Sequence, residues 1–131
     1  MSENDVQEIG IAGVDQEKTL ANSVNGTIYR VHLSLTAPAP ADWRRIFESE
    51  WRFPRTSMWR RAHATERHII IECPIDEIER YHKAPLKEVL GDVNRKYREH
   101  LAEAQTREAR RRAEQDAATQ RAKADLSKIK F

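Results

Sequence analysis

Three tryptophan–arginine runs in residues 43–68 are the part of the sequence best suited to binding an anionic ligand. The runs are Trp43-Arg44-Arg45, Trp51-Arg52 and Trp59-Arg60-Arg61, and successive tryptophans lie eight residues apart. Arginine binds phosphates through two parallel N–H donors, and aromatic rings provide flat faces on which unpaired bases stack. The pattern predicts a nucleic-acid-binding surface whose residues are Arg44, Arg45, Arg52, Trp59, Arg60 and Arg61.

The same residues also allow a structural interpretation. Trp43, Phe47 and Trp51 recur at every fourth position, which is the spacing of one helix face, so the first two tryptophans of the runs are expected in the core. Glu48 lies four residues from two of the arginines, so part of their charge is expected to be neutralised on a solvated helix face. Trp59 lies outside this stripe, and both a core role and a stacking role stay open for it.

A second candidate surface is the outer face of a predicted antiparallel sheet. In the strand predicted over residues 27–36, apolar and polar side chains alternate, as in a strand with one buried face. The polar residues of this strand and of two later strands would then face outward together: Arg30, His32, Arg61, His63 and His68. Such a face suits phosphates, and more so below about pH 6.5, where free histidine gains a proton. Outward polarity is also what every one-sided sheet requires.

The C-terminal stretch is a third candidate. Residues 105–131 contain eight Lys or Arg and four acids, and Arg110, Arg111 and Arg112 would form an accessory arm with salt-dependent phosphate contacts. Alternatively, the apolar residues at its end would bind a protein partner or a second copy of the chain: Leu126, Ile129 and Phe131. A solvated charged helix or a frayed tail is the simplest interpretation.

No metal site, cofactor or catalytic residue is predicted. The histidines and the cysteine at 63, 68, 73 and 82 are spaced by five, five and nine residues, which matches no standard zinc pattern. Cys73, between Ile71 and Pro74, is expected to be an inert buried thiol. The acids at 76, 77 and 79 are typical of a helix start. Without a glycine-rich phosphate loop or a nucleophile motif, the chain is not expected to be an enzyme.

Composition limits the classes of protein that remain. The chain has 131 residues, of which 39% are hydrophobic and 34% are charged, so it has material for one modest core. A single cysteine excludes an internal disulfide framework and a cysteine-rich zinc module. No apolar run approaches the ~20 residues of a membrane span, and the acidic first residues do not read as a secretory signal. A cytoplasmic location and no membrane partner are therefore expected.

An α+β fold is predicted to position these residues. The predicted elements are a strand over 27–36, a helix over 40–51, strands over 58–63 and 67–73, a helical turn over 76–82 and a long helix from Pro85. This β-α-β-β-α order predicts a small antiparallel sheet covered by helices on one face. Asn25-Gly26 is typical of a type I′ turn, which would add an N-terminal hairpin strand at Leu20–Val24.

Three segments follow from this organisation: a loose acidic segment over 1–26 with one short strand at most, an α+β core over 27–104, and a charged helical tail over 105–131. The favoured function is a small non-enzymatic protein that binds DNA or RNA through the basic, tryptophan-rich surface. The alternative is a protein–protein adaptor or assembly module, homodimers included, that acts through the long C-terminal helix.

Overall fold

The chain is described from Glu8 to Phe131 in a computed structural model, and it divides after Arg98 into two compact units. In chain order its elements are β1 (Ile11–Val14), α1 (Gln16–Ala21), β2 (Ile28–Leu35), α2 (Ala41–Trp51), β3 (Ala62–Ala64), β4 (His68–Pro74), a π-helix (Ile78–His82) and α3 (Lys83–Ser127). The predicted α+β class, with a small antiparallel sheet and a long C-terminal helix, is confirmed.

The sheet has four strands in the order β1-β2-β4-β3, and each neighbouring pair is antiparallel. In the central pair, Val31 lies opposite Ile71 and Leu33 lies opposite Ile69. Because successive residues of a strand face opposite sides, these four side chains share the inner face with Cys73. All five are at most 2% exposed, in agreement with the predicted alternation.

Two helices supply the rest of the core. The buried residues of α2 are Trp43, Phe47 and Trp51, and those of α3 that join the cluster are Leu86, Val89, Leu90 and Val93. The three aromatic rings of α2 stack in series, with centroids 6.1 and 5.8 Å apart. The prediction that the two helical tryptophans belong to the core is confirmed.

Asn94 connects three parts of this unit. Its Oδ1 accepts hydrogen bonds from the indole N–H of Trp43 at 2.9 Å and from the backbone N–H of Ile9 at 3.1 Å. Its Nδ2 donates to the Ile9 carbonyl at 2.9 Å. All the polar atoms in this contact are buried and paired, as buried polar groups must be. No sequence pattern predicted a role for this residue.

The predicted type I′ turn at Asn25-Gly26 is wrong, and the strand predicted at Leu20–Val24 is reduced to one antiparallel bridge. No residue from Glu8 onward has a positive φ angle, which a type I′ turn needs at both central positions. The Asn25 side chain instead accepts hydrogen bonds from the backbone N–H groups of Thr27 and Ile28, both at 3.0 Å. The chain before it ends α1, and only Ser23 bridges to β2. The strand that extends the sheet is β1, within the segment predicted to be loose, whose first seven residues lie outside the described chain.

Two other elements differ from their predicted bounds. β3 has three residues and starts later than the strand predicted over 58–63. The helical turn predicted over 76–82 includes the π-helix, which leads directly into α3. Residues 105–127, for which a helix and a frayed tail were both open, are helical and exposed. Within residues 8–131, no helix combines the length and the apolarity that crossing a bilayer requires.

Candidate nucleic-acid interface

Trp59 is held at the end of α2 by its neighbour in the core. Its ring stacks on that of Trp51 with the centroids 3.9 Å apart, and the indole N–H of Trp51 donates to the carbonyl of Arg60 at 2.9 Å. These two contacts fix the segment that precedes β3. Trp59 is half-buried, so it is both a partner of the core and a surface residue.

A groove of about 540 Å³ passes beside this indole, lined by Glu48, Trp51, Arg52, Trp59, Arg61 and Ala62. Both of its arginines are exposed, and within residues 8–131 neither side chain has an ion-pair partner. The groove therefore brings together two unpaired guanidinium groups and one partly exposed aromatic face. It unites the predicted residues Arg52, Trp59 and Arg61.

Arg61 also connects this groove to the outer face of the sheet. Its carbonyl accepts a hydrogen bond from the Glu72 backbone at 3.2 Å, and Glu72 lies opposite Arg30 in the register of β2 and β4. In the next row, His63 lies opposite Ile70. Arg30, Arg61 and His63 are exposed, so the structure gathers these three predicted residues on one side of the sheet, with the carboxylate of Glu72 among them.

His32 and His68 lie on the same side of the sheet but are covered. The Thr19 hydroxyl of α1 accepts from the His32 backbone N–H at 2.9 Å, and the His32 carbonyl accepts from the Asp15 N–H at 2.8 Å. As a result, His32 is only 9% exposed, and its ring meets that of His68 edge-on at 5.4 Å. The prediction that the His32 ring is open to a ligand is therefore wrong, because the sequence showed no helix at this position, whereas His68 is half-buried.

The pair formed by His68 and Asp15 attaches α1 to the sheet. His68 Nε2 lies 3.1 Å from Asp15 Oδ2, and Asp15 also caps α1 by accepting from the Lys18 backbone N–H at 3.1 Å. The hydrogen bond from Lys18, and then that from His68, hold the pKa of Asp15 below its usual value. The half-buried His68 is thus committed to an internal partner.

The arginines of α2 before residue 52 lie outside the groove lining. Arg45 forms a surface pair with Asp42 at 2.8 Å, and pairs of this kind contribute little to stability. Arg44 is half-buried, and its Nε atom is buried with no hydrogen-bond acceptor among the described residues. Neither residue takes part in the surface around Trp59.

Arg60 is half-buried, and its guanidinium group is paired with Glu77. Its Nε and Nη2 donate to the two oxygens of Glu77 at 3.0 and 2.8 Å, which is the bidentate geometry of a strong charge-assisted pair. The pair raises the pKa of Arg60 and lowers that of Glu77. Because Glu77 already binds both donors of this fork, the prediction that Arg60 binds phosphate is not supported by its position.

Glu77 also contacts His82, and both lie close to Cys73. His82 Nε2 is 3.0 Å from Glu77 Oε1, and one donor atom from each of the three residues lies within 4.8 Å of the others. Burial, and then the charge of Glu77, raise the pKa of the Cys73 thiol to about 12, and the thiol is buried as predicted. The sequence analysis considered Cys73 and His82 together with His63 and His68, which do not join this group.

The C-terminal candidates all lie exposed in the second unit. Arg111 and Arg112 both approach the carboxylate of Glu108, the latter at 3.8 Å, whereas Arg110 has no ion-pair partner in the described chain. The three apolar residues at the end are exposed, Leu126 by 65% and Ile129 by 56%, and Phe131 with them. Nothing in this unit covers them.

A separate groove of about 760 Å³ lies between β1 and the start of α3. Its apolar lining includes Ile9, Ile11, Leu33, Leu86 and Leu90. None of the arginines discussed above lines it, so it is distinct from the surface around Trp59.

Comparison with protein-family models, with curated proteins and with solved structures finds no significant match to this chain. The function is therefore inferred from the geometry of its own residues.

Proposed function

We propose that this protein is a small, non-enzymatic cytoplasmic protein that binds nucleic acid through the surface formed by Arg52, Trp59 and Arg61, with Arg30 and His63 at its margin. The observation that supports the proposal most is the groove in which two exposed, unpaired arginines flank a fixed indole. Phosphates pair with guanidinium groups, and bases stack on aromatic faces. A neighbouring groove of about 420 Å³ also borders Trp59 and Arg61, together with Ile28, Arg60 and Glu72.

The stacking of Trp59 on Trp51 favours binding because it reduces the motion of the ring that a base would otherwise have to arrest. Ordering a side chain on binding costs free energy, and a ring that is already ordered avoids that cost. One face of Trp59 is used by Trp51, so a single base is expected to stack on the part that remains. A stacking site of this kind favours single strands, whose bases are exposed, over duplexes.

The charge distribution predicts weak, mainly sequence-independent binding. Arg52, Arg61 and Arg30 supply three phosphate contacts, whereas Glu72 lies among them and repels an anion. Phosphate contacts position a nucleic acid without reading its sequence. With about three contacts, the logarithm of the binding constant should fall against the logarithm of salt concentration with a slope of about −2 for a single strand. Arg110 and its neighbours would act as an accessory arm on a longer ligand.

The experiment measures binding of mixed-sequence single-stranded and double-stranded DNA and RNA to the nucleic-acid-free protein across a salt series. The test variant carries Arg52→Ala and Arg61→Ala. The control variant carries Arg80→Ala and Arg121→Ala, which removes equal charge from exposed positions outside the groove. We expect the test variant to reduce the magnitude of the salt slope by about 1.4, since each of the two lost phosphate contacts on a single strand removes about 0.7. We expect the control variant to bind like the parent.

Equal binding by the two double variants would show that the groove is not the contact surface. No binding by the parent at low salt would favour the second candidate, a protein–protein adaptor that acts through α3. That candidate has its own support in the three exposed apolar residues at the end of the helix and in the apolar groove beside β1. A homodimer formed through α3 belongs to the same proposal.

A further inference from the structure

We propose that Cys73, Glu77 and His82 form a binding site for one zinc ion, or for a divalent transition metal with the same ligand preferences. Their thiol sulfur, carboxylate oxygen and imidazole nitrogen are the ligand atoms that zinc uses in proteins. The three atoms lie within 4.8 Å of one another, and Cys73, Glu77 and His82 are 0%, 9% and 1% exposed. Within residues 8–131 this is the one such group of metal-ligand side chains.

The π-helix is what brings Glu77 and His82 together. Residues five apart in an α-helix are rotated by roughly 140° about the axis, because each residue turns by about 100°, so their side chains diverge. In a π-helix the hydrogen bond runs between residues five apart, and here the Lys83 N–H donates to the Ile78 carbonyl. The wider turn places Glu77 and His82 on one side, 3.0 Å apart. Such turns are rare and occur often at functional sites.

The third donor comes from the sheet. Cys73 is the last inward-facing residue of β4, and the strand ends at Pro74. The short link from Pro74 to Glu77 therefore holds the thiol beside the start of the helix. The donor atoms come from a strand, from the link and from the π-helix, and the packing of all three positions fixes where they meet.

Arg60 has the position of an outer partner of a metal ligand. Carboxylates that bind a metal are usually hydrogen-bonded themselves, and these partners orient the ligand atoms. Arg60 holds both oxygens of Glu77 and leaves Oε1 directed at His82. Its positive charge neutralises Glu77, so a bound ion would be balanced in part by the thiolate that forms when Cys73 releases its proton to solvent.

The distances require only a small contraction. Zinc bonds of 2.0–2.3 Å or so in a tetrahedron place the ligand atoms roughly 3.3–3.8 Å apart. His82 Nε2 and Glu77 Oε1, 3.0 Å apart, would separate slightly. The sulfur lies within 4.8 Å of its two partners, so it would approach by no more than about 1.5 Å. The ion would replace the hydrogen bond between Glu77 and His82, and a water molecule would complete four-fold coordination.

The experiment adds Co²⁺ to the full chain, free of tags and treated with a chelator, and records its absorption spectrum. We expect one equivalent to bind, with a thiolate-to-cobalt charge-transfer band and the visible bands of tetrahedral cobalt, and Zn²⁺ to remove both. The chain has one cysteine, so a thiolate band at one ion per chain identifies Cys73. X-ray absorption of the zinc-loaded parent should show one sulfur among nitrogen and oxygen neighbours.

One variant tests the histidine ligand. His82→Ala should weaken Co²⁺ binding by at least about tenfold, whereas the control His63→Ala, an exposed histidine outside the group, should leave it unchanged. Circular dichroism shows which variants are folded. The proposal is overturned if the folded parent binds Co²⁺ without a thiolate band or does not bind it, if one ion binds two chains, or if His63→Ala removes binding as His82→Ala does. The spectrum and the stoichiometry of the parent protein test the thiolate band and the binding of one ion per chain, even where a variant fails to fold.

Discussion

Arg60 and Arg61 are adjacent in the sequence and identical in type, and the structure uses them in opposite ways. Arg60 forms a fork with Glu77, whose side chain is 11% exposed, whereas Arg61 is exposed beside Trp59 and has no ion-pair partner in the described chain. Both arginines border a groove beside Trp59, so the difference between them is the carboxylate of Glu77 that Arg60 already binds. A basic run is therefore not a measure of the charge available to a ligand.

Two glutamates are likewise divided between the interior and the surface. Glu77 lies beneath the surface, where it pairs with Arg60 and His82, and Glu72 lies on the outer face opposite Arg30. An interior pair is costly to separate because the remaining charge stays buried without a partner. A surface charge loses little when its neighbour is removed, since water takes its place. The contrast between the two arginines can be tested directly on stability.

The largest loss in the free energy of unfolding is expected for Arg60→Ala. This variant leaves the carboxylate of Glu77 buried with His82 alone, and breaking a buried pair costs about 3–5 kcal/mol. Because the Arg60 side chain is 36% exposed, we expect a smaller loss, about 2 kcal/mol in the free energy of unfolding measured by urea at pH 7 with a chelator present. Adding Glu77→Gln should restore part of the loss. A loss below about 0.5 kcal/mol would place Arg60 with the surface arginines.

An intermediate loss of stability is expected when the pair of Asp15 and His68 on the outer face of the sheet is broken. The pKa of Asp15 is lowered in the folded chain by the Lys18 hydrogen bond and by His68. Its ionised form therefore contributes stability above the unfolded pKa of about 3.9, and this contribution is lost as the pH falls through the folded pKa.

Asp15→Asn keeps an N-cap residue while removing the charge. In urea unfolding from pH 6 downward, the parent should be the more stable protein near neutrality, and the two curves should converge in acid. Parallel curves over the whole range would show that the charge of Asp15 does not contribute.

The smallest change in the free energy of unfolding is expected for Arg61→Ala. Its exposed side chain has no ion-pair partner in the part of the chain described, so the free energy of unfolding should change by no more than about 0.5 kcal/mol. The same variant should weaken binding of single-stranded nucleic acid. If instead Arg61→Ala destabilises the fold as much as Arg60→Ala does, Arg61 has a structural role and the surface around Trp59 loses its central cation.

Elements with a strong periodic signal were predictable. The stripe of Trp43, Phe47 and Trp51 predicted α2 and its buried face, and the alternation from Tyr29 to Leu35 predicted β2 and the side that packs inward. Both signals arise because one face of the element is buried along its whole length. The prediction of a type I′ turn at Asn25-Gly26 failed because the Asn25 side chain, rather than a left-handed backbone, makes the hydrogen bonds of that loop.

The candidate sites were predictable only in part. Arg30 and His63 are exposed, as the strand period predicts, and Arg52 and Arg61 are exposed outside the regular elements. That these residues bind nucleic acid stays a prediction. His32 was predicted to be open, yet α1 covers it. No local signal shows which polar residue a short helix elsewhere in the chain will cover.

Residue types and their periods alone established the fold class, the aromatic core and a surplus of arginines around three tryptophans. Tertiary structure decided which of those arginines stays free and which cluster of polar groups lies inside. Arg60 rather than Arg61 is paired because Glu77 lies beside Arg60. Glu77 contacts His82 because of a π-helix, which no periodic pattern in the sequence predicts. Periodicity records which face of an element is buried, whereas the partner of a buried charge is set by distances between elements that only packing determines.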